Sequence, residues 1–229
     1  MSSKETSIIL LTKFKPENAL WGFIQLAFGR FFFKDIPGLK FVKFLGSGKN
    51  AGFGLRPSPI HQGLFCCFDS EKFARDFLDN NQLVKKYKKK SVEFFSAELK
   101  SFSSKGAWSK NTIQESINPP GNGPIASLTR ASIKISKAQE FWSLAPPSEA
   151  SLKSFKGCIL SAGLGEAPFL RQCTFSVWDS VFSLDSYARS GAHLQAIKSA
   201  YKGNFFAESM FVRFKPLSLK GVWQGKSFD

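Results

Sequence analysis

The chain contains an internal repeat, and this repeat limits the folds that it can adopt. Residues 64–90, LFCCFDSEKFARDFLDNNQLVKKYKKK, resemble residues 172–200, QCTFSVWDSVFSLDSYARSGAHLQAIKSA. Within them Asp69 corresponds to Asp179, 110 positions later, and the later KGAW (105–108) corresponds to KGVW (220–223). Self-similarity of this kind indicates two copies of one structural unit.

Each copy predicts the element order strand, helix, strand, strand, helix, strand. The predicted strands are 6–14, 39–46, 63–68 and 94–102 in the first copy, and 125–135, 156–163, 171–178 and 209–216 in the second. The predicted helices surround Trp21 and Trp142 and cover about 70–89 and 180–201. This order is typical of a ferredoxin-like unit, which leaves one sheet face uncovered.

The repeat therefore predicts an α+β fold: tandem ferredoxin-like repeats (βαββαβ twice) packed sheet to sheet as an intramolecular α+β barrel. The N-terminal unit would cover 1–117 and the C-terminal unit 125–229. The intervening NPPGNGP (118–124) suits neither a helix nor a strand interior, so we interpret it as a linker.

The composition bounds the partners and the compartment. Lys and Arg number 32 against 17 Asp and Glu, a net charge of +15, which favours polyanions or an anionic membrane surface. The densest cluster, 85–90, offers only Tyr87 for base stacking, so nucleic-acid binding is not predicted. No apolar stretch approaches the length of a membrane span, and the four cysteines lack zinc-type spacing. We therefore expect a cytoplasmic protein, with peripheral contact to an anionic membrane.

The interior is expected to be unusually rich in phenylalanine. The chain has 26 Phe and 3 Tyr, so its rings suit an apolar pocket, although a biased composition would look the same. The glycine-rich stretch 46–54 lacks the spacing of a phosphate-binding loop and is interpreted as a connection between strands.

The second copy has a histidine where the first has a leucine. His193 shares a helical stripe with Ile197, and its counterpart in the first copy is Leu83. The residues alone leave three interpretations open: a ligand, a catalytic base, or a core histidine with a satisfied nitrogen. The other histidine, His61, is predicted to lie in a loop. Cys158 could be a thiolate ligand or an ordinary buried thiol, as could Cys173.

Several stretches resemble one known family. GLKFVKFLGSGKNAGF (38–53), IASLTRASIK (125–134), GLGEAPFLRQCTFSVWDS (163–180), AHLQAIK (192–198) and FFAESMFVRFKPLSLKGVWQGKSF (205–228) look like the spheroidene monooxygenase family of carotenoid-oxidising enzymes. The resemblance covers about 8–228 and is strongest from residue 163 onward. It implies a haem b cofactor, dioxygen as co-substrate and an apolar, carotenoid substrate. It also implies an external electron donor, since the chain has no dinucleotide fingerprint.

The same resemblance implies a relationship in fold to dimeric α+β barrel haem proteins, among them the aldoxime dehydratases. Their proximal ligand comes from a helix of the C-terminal unit, which makes His193 the expected iron ligand here. Ile197, one turn further on, would then also contact the haem.

The alternation of the strand RQCTFSVW (171–178) predicts which of its residues share a face. Arg171 and Phe175 share one face with Cys173, and this face is expected to meet the haem. Arg171 would pair with a propionate or donate to bound oxygen, or alternatively form a rim salt bridge with Glu166. Gln172, on the opposite face, is a weaker candidate for a donor to oxygen.

Three classes of function follow from these observations. The first is a haem-dependent monooxygenase acting on a hydrophobic substrate. The second is another haem reaction on the same fold, such as dehydration of an aldoxime. The third is a non-enzymatic haem- or lipid-binding protein.

Overall fold

The strands and helices follow the predicted order in both halves of the chain. A computed structural model describes residues 5–33, 35–167 and 170–229. The first half contains β1 (Thr6–Phe14), α1 (Ala19–Phe28), β2 (Leu39–Gly48), β3 (Pro57–Phe68), α2 (Glu71–Asn80), α3 (Gln82–Lys90) and β4 (Ser91–Gly106). The second contains β5 (Ile125–Ile133), α4 (Ala138–Ser154), β6 (Cys158–Ala167), β7 (Arg171–Trp178), α5 (Val181–Ala188), α6 (Gly191–Lys202), β8 (Phe206–Trp223) and β9 (Lys226–Phe228).

Eight of these strands form a closed antiparallel barrel. The first half contributes the order β4-β1-β3-β2 and the second β6-β7-β5-β8. A short seam joins β2 to β6 at two residue pairs, and a long seam joins β4 to β8 from Phe95 opposite Gly221 to Gly106 opposite Met210. The two halves therefore share one sheet, and the mixed α and β fold with a barrel is confirmed.

Strand alternation divides the apolar residues between the barrel interior and the helix layers. Ile9 and Leu11 of β1 point into the barrel, where they join Phe65 and Phe175. Ile8 and its neighbours on the outer face pack beneath the helices of the first half. Full burial of each such side chain contributes about 1.5–3 kcal/mol, so the two layers are the main source of stability.

A charged cluster lies among the apolar residues of the barrel. Arg130 of β5 is almost fully buried and binds Glu166 of β6 at 3.2 Å and Glu208 of β8. The indole N–H of Trp108 donates to Glu166 at 2.8 Å, and Lys43 of β2 reaches its other oxygen at 3.0 Å. Burial alone would raise the pKa of Glu166, but these donors and cations outweigh it and lower the pKa. The cluster links strands from both halves.

The long second helix of each half is divided in two. The predicted helix 70–89 is interrupted at Asn81, whose side chain accepts a hydrogen bond from the Leu83 amide at 2.8 Å. The predicted helix 180–201 is interrupted at residues 189–190, so each predicted helix is observed as two shorter helices. Ser190 occupies the N-cap position of α6. Its hydroxyl donates to the Tyr187 carbonyl instead of capping the first turn.

The lysine-rich stretch 85–90 forms the end of α3, and Lys85, Lys86, Lys88 and Lys89 are exposed to solvent there. Within the described ranges, no helix combines the length and the apolar character needed to cross a membrane.

Candidate active site

A cavity of about 560 Å³ opens in the second half of the chain. It lies between the outer face of β5, β7 and β8 and the helices α4, α5 and α6. Its volume is within the range of about 300–1,000 Å³ that is typical of cofactor and small-molecule sites.

The floor of the cavity is made of small and polar side chains. Ser127 pairs with Ser176, and Thr129 pairs with Thr174, across the β5–β7 ladder. The corresponding outer face of the first half carries fully buried aliphatic residues such as Ile8 and its neighbours Leu10 and Leu64. Small side chains leave space that large ones would fill, so the second half has room for a ligand where the first has a packed core.

The helices above the two halves of the sheet differ in the same way. The fourth residue is Gly22 in α1 and Phe141 in α4. Ten positions after the helix start the chain has Gly29, just past the end of α1, and Ser148, inside α4. A Cβ atom at Gly22 would lie 2.7 Å from the Phe14 ring, so α1 packs directly on the sheet. The larger residues of α4 line the cavity instead.

His193 of α6 lies in the wall of this cavity, half-buried. Its Nδ1 is 3.0 Å from the hydroxyl of Ser148, and its ring stacks on Tyr187 with 4.4 Å between centroids. Among the described residues, Nε2 has no hydrogen-bond partner. Burial lowers the pKa of His193 to about 4, so the imidazole is neutral near pH 7.

Tyr187 holds this wall together. Its hydroxyl donates to the Ser148 carbonyl at 3.1 Å, and its ring contacts Phe155 and Trp178 at 5.4 and 5.2 Å. Burial raises the pKa of Tyr187 to about 12, so the phenol stays neutral and serves as a donor. Ser148 and Tyr187 therefore fix the orientation of the His193 ring from two sides.

Charged side chains also line the cavity. Arg213 of β8 lines the cavity and forms an ion pair with Asp185 of α5 at 2.5 Å. Lys105 of β4 lies in the same lining. Phe53, from the glycine-rich connection between β2 and β3, contributes an aromatic wall from the first half. The arrangement can bind an apolar molecule that carries anionic groups, with one neutral imidazole available to a metal.

The structure places three of the predicted site residues together. His193, Ile197 and Gln172 all line the cavity. The cavity also lies between sheet and helices, where the haem was expected. Their proposed roles as ligand, contact and donor are not tested by this placement.

The prediction that the Arg171 and Phe175 face of β7 points toward the helices was wrong. Phe175 is fully buried inside the barrel with Cys173, and Arg171 is exposed and is not among the residues lining the cavity. Nor does Arg171 pair with Glu166, which binds Lys43 and Arg130 instead. The barrel interior takes the more apolar face of the strand, so the polar face is left toward the helices.

The remaining candidates also lie away from the cavity lining. His61 was predicted in a loop but belongs to β3, buried, with Nδ1 2.7 Å from the Ser58 hydroxyl. Burial raises the pKa of Cys158 to about 11 and raises that of Cys173 as well. Both thiols are therefore protonated at neutral pH, which suits ordinary buried cysteine better than thiolate ligation.

The sequence interpretation missed Ser148, Tyr187, Phe53 and Arg213. One signal was available: the outward positions of β5 and β7 read as Ser, Thr and Gln, where β1 and β3 have Ile and Leu. Two such strands beneath a histidine-bearing helix indicate a cavity rather than a core.

Comparison with known structures supports the fold. An aldoxime dehydratase matches with a TM-score of 0.59 over 93% of this chain and 81% of its own, at 9% identity. An aldoxime dehydratase in complex with butyraldoxime matches with a TM-score of 0.58 over 93% and 79%, at 8% identity. At these identities the similarity concerns the fold alone. No family model matches the chain.

Comparison with curated sequences identifies the family. Spheroidene monooxygenase from Rubrivivax gelatinosus is 46% identical over 221 residues, covering 96% of this chain and 86% of that protein. Spheroidene monooxygenase from Rhodobacter capsulatus is 32% identical over 90% of this chain and 87% of that protein. The chain therefore belongs to the spheroidene monooxygenase family and is an oxidoreductase.

Proposed function

We propose that this protein is a haem-dependent monooxygenase that oxidises a carotenoid. The observation that carries the proposal is the neutral imidazole of His193, with Nε2 unpartnered among the described residues, in the wall of a largely apolar cavity. The carotenoid comes from the names of the relatives. The cavity itself supports an apolar substrate.

The residues present fit haem b. A neutral imidazole is the form that ligates iron, and Ser148 supplies the outer partner that usually orients such a ligand. Arg213 and Lys105 would hold the carboxylates of the macrocycle. Bound haem would supply the activation of dioxygen, with two electrons from an external donor or electron-transfer partner. The overall reaction would place one oxygen atom in the substrate and release the other as water, consuming those two electrons and two protons.

The protein residues have the tasks of binding, orienting and excluding water. The walls around the cavity, with Phe53, Phe141 and Ile197, bury the apolar substrate. Gln172 and the hydroxyls of Thr129 and Thr174 face the same space and serve as hydrogen-bond donors there. Tyr187 keeps its proton and holds the wall in place.

We also propose that the two halves are ferredoxin-like repeats, with units 1–117 and 125–229. The identical strand orders, β4-β1-β3-β2 and β8-β5-β7-β6, support this.

The experiment that tests the function is a turnover assay. Reduced, haem-loaded protein is supplied with an acyclic carotenoid, with and without oxygen, and products are identified by mass. We expect a hydroxy or keto product only with oxygen. Equal turnover without oxygen would move the protein to the dehydratase class, and a bound but inert haem would favour a binding protein.

Replacing Ser148 by alanine should weaken haem binding about 10-fold or more, because Nδ1 loses the partner that orients the ring. The measurement is haem titration followed by absorbance. Ser143→Ala is the matched control, since Ser143 on the same helix is exposed and its hydroxyl donates to the Glu140 carbonyl. Equal affinity in both variants would show that Ser148 does not position His193.

We further infer a cytoplasmic protein that contacts anionic membranes, from which an apolar substrate would be drawn. The net charge of +15 supports this contact.

A further inference from the structure

Helix α1 presents its large apolar side chains to solvent. Leu20 is 70% exposed, Phe23 60%, and Phe28 and Phe31 each 53%, the last in the 3₁₀ turn that follows the helix. These positions recur at helical spacing and form one stripe. Single exposed apolar residues are ordinary, but a contiguous stripe of this kind marks an interaction surface.

The orientation of α1 is fixed by its opposite face. Gly22 and Gly29 point toward the sheet, where Phe14 and Phe44 leave no room for a Cβ atom. The helix cannot rotate to bury its phenylalanines without driving larger residues into that space. Gly22 and Gly29 therefore face the sheet, Trp21 packs on Phe14 and Tyr87 at one side, and Leu20, Phe23 and Phe28 are left facing water.

The fold itself does not require an apolar outer face. In α4, which begins after the corresponding strand, the positions of Leu20, Phe23 and Phe28 are taken by Gln139, Trp142 and Pro147. Gln139 and Pro147 are exposed, whereas Trp142 is half-buried and lines the cavity. The two halves thus share a helix position but not its surface chemistry. The apolar face of α1 is specific to the half that lacks the cavity.

A dense positive charge borders this stripe. The C-terminal end of α3 lies against the N-terminal end of α1: Lys90 lies 5.3 Å above the Trp21 ring, and that ring contacts Tyr87 at 5.2 Å. Residues 15–33 and 82–90 together contain seven basic side chains and one acidic one, Glu17. Two copies of this surface would bring like charges together, whereas an anionic surface would be attracted.

We propose that α1 docks on an anionic lipid bilayer, with Leu20, Phe23, Phe28 and Phe31 inserted among the acyl chains and the α3 lysines at the headgroups. An amphipathic helix of this type lies in the plane of the interface, its apolar face about 5–10 Å below the headgroups. The inference deepens the proposed membrane contact by naming the surface. It predicts binding that partly resists salt, unlike attraction by charge alone.

The test is sedimentation of the full chain with vesicles of phosphatidylcholine containing phosphatidylglycerol, at low and high salt. Phe23→Ser/Phe28→Ser should lower the partition coefficient about 10-fold or more at high salt, because two rings no longer enter the bilayer. Phe182→Ser on α5 is the control: this ring is 79% exposed, outside α1 and outside the cavity lining. It should bind as the wild type does.

Three outcomes would overturn the docking surface. They are equal binding of the double variant and the wild type, an equal loss in the Phe182 control, and no vesicle binding by the wild type. A wild-type dimer that becomes monomeric in the double variant, without vesicle binding, would assign the stripe to a second copy. Turnover of detergent-dispersed carotenoid is measured in parallel and should be unchanged in the double variant, so failure of the haem chemistry is detected separately.

Discussion

His193→Ala should abolish haem binding, seen as loss of the Soret band, and with it all turnover. The chain has two histidines, and His193 is the one that lines the cavity. Far-UV circular dichroism should stay close to that of the wild type, because the half-buried ring contributes only a stacking contact and one hydrogen bond. We expect a loss of unfolding free energy of about 1 kcal/mol.

His61→Ala is the matched control for this prediction. His61 is buried, bonds the Ser58 hydroxyl and packs against Trp223, so its loss should also cost about 1 kcal/mol. It should leave the Soret band intact. A variant with glycine at position 193 should regain haem binding when imidazole is added. Survival of the band in His193→Ala, with its loss in His61→Ala, would mean that the iron ligand was assigned to the wrong histidine.

Arg130→Met should lower the unfolding free energy by about 3 kcal/mol, which corresponds to about 6–12 °C in melting temperature. The substitution keeps an unbranched side chain but leaves Glu166 and Glu208 without their shared cation inside the barrel. The measurement is thermal and urea unfolding at pH 7. Arg189→Met is the control, because that side chain is 79% exposed and its contact with Asp185 is 3.9 Å long. It should change stability by less than about 0.5 kcal/mol.

The unfolding free energy of Arg130→Met should depend on pH less steeply than that of the wild type. The folded-state pKa of Glu166 is lowered, and so is that of Glu208, where amide donors and Arg130 outweigh burial. The stability they contribute is present above the unfolded carboxyl pKa of about 4.3 and is lost as pH falls through the lower folded values. Wild-type stability should therefore fall on acidification below about pH 4.3. Arg130→Met should show a flatter profile, and parallel profiles would mean that Arg130 does not set these pKa values.

The repeat allowed the element order to be predicted because local patterns are enough to define strands and helices. The first strands, predicted at 6–14 and 125–135, occur at Thr6–Phe14 and Ile125–Ile133. The helix interruption at Asn81 was not predicted, since a cap residue within a helical pattern also fits a continuous helix.

The position of His193 could be predicted because it depends on local helical spacing: His193 shares a stripe with Ile197, and both line the cavity. The positions of Arg171 and Phe175 relative to the cavity could not be predicted in this way. Alternation shows which residues of β7 share a face, but it does not show which face points into the barrel and which toward the helices.

The sequence by itself determined the order of the elements and the choice of His193 as the candidate histidine, because both depend on local spacing along the chain. Only the tertiary structure decided that β2 meets β6 and β4 meets β8, that the apolar face of β7 lies inside the barrel, and that Ser148 reaches His193 from another helix. These are contacts between segments far apart in the chain. They depend on how side-chain volumes fit together, such as Gly22 against Phe14, and this complementarity appears only when the segments are packed.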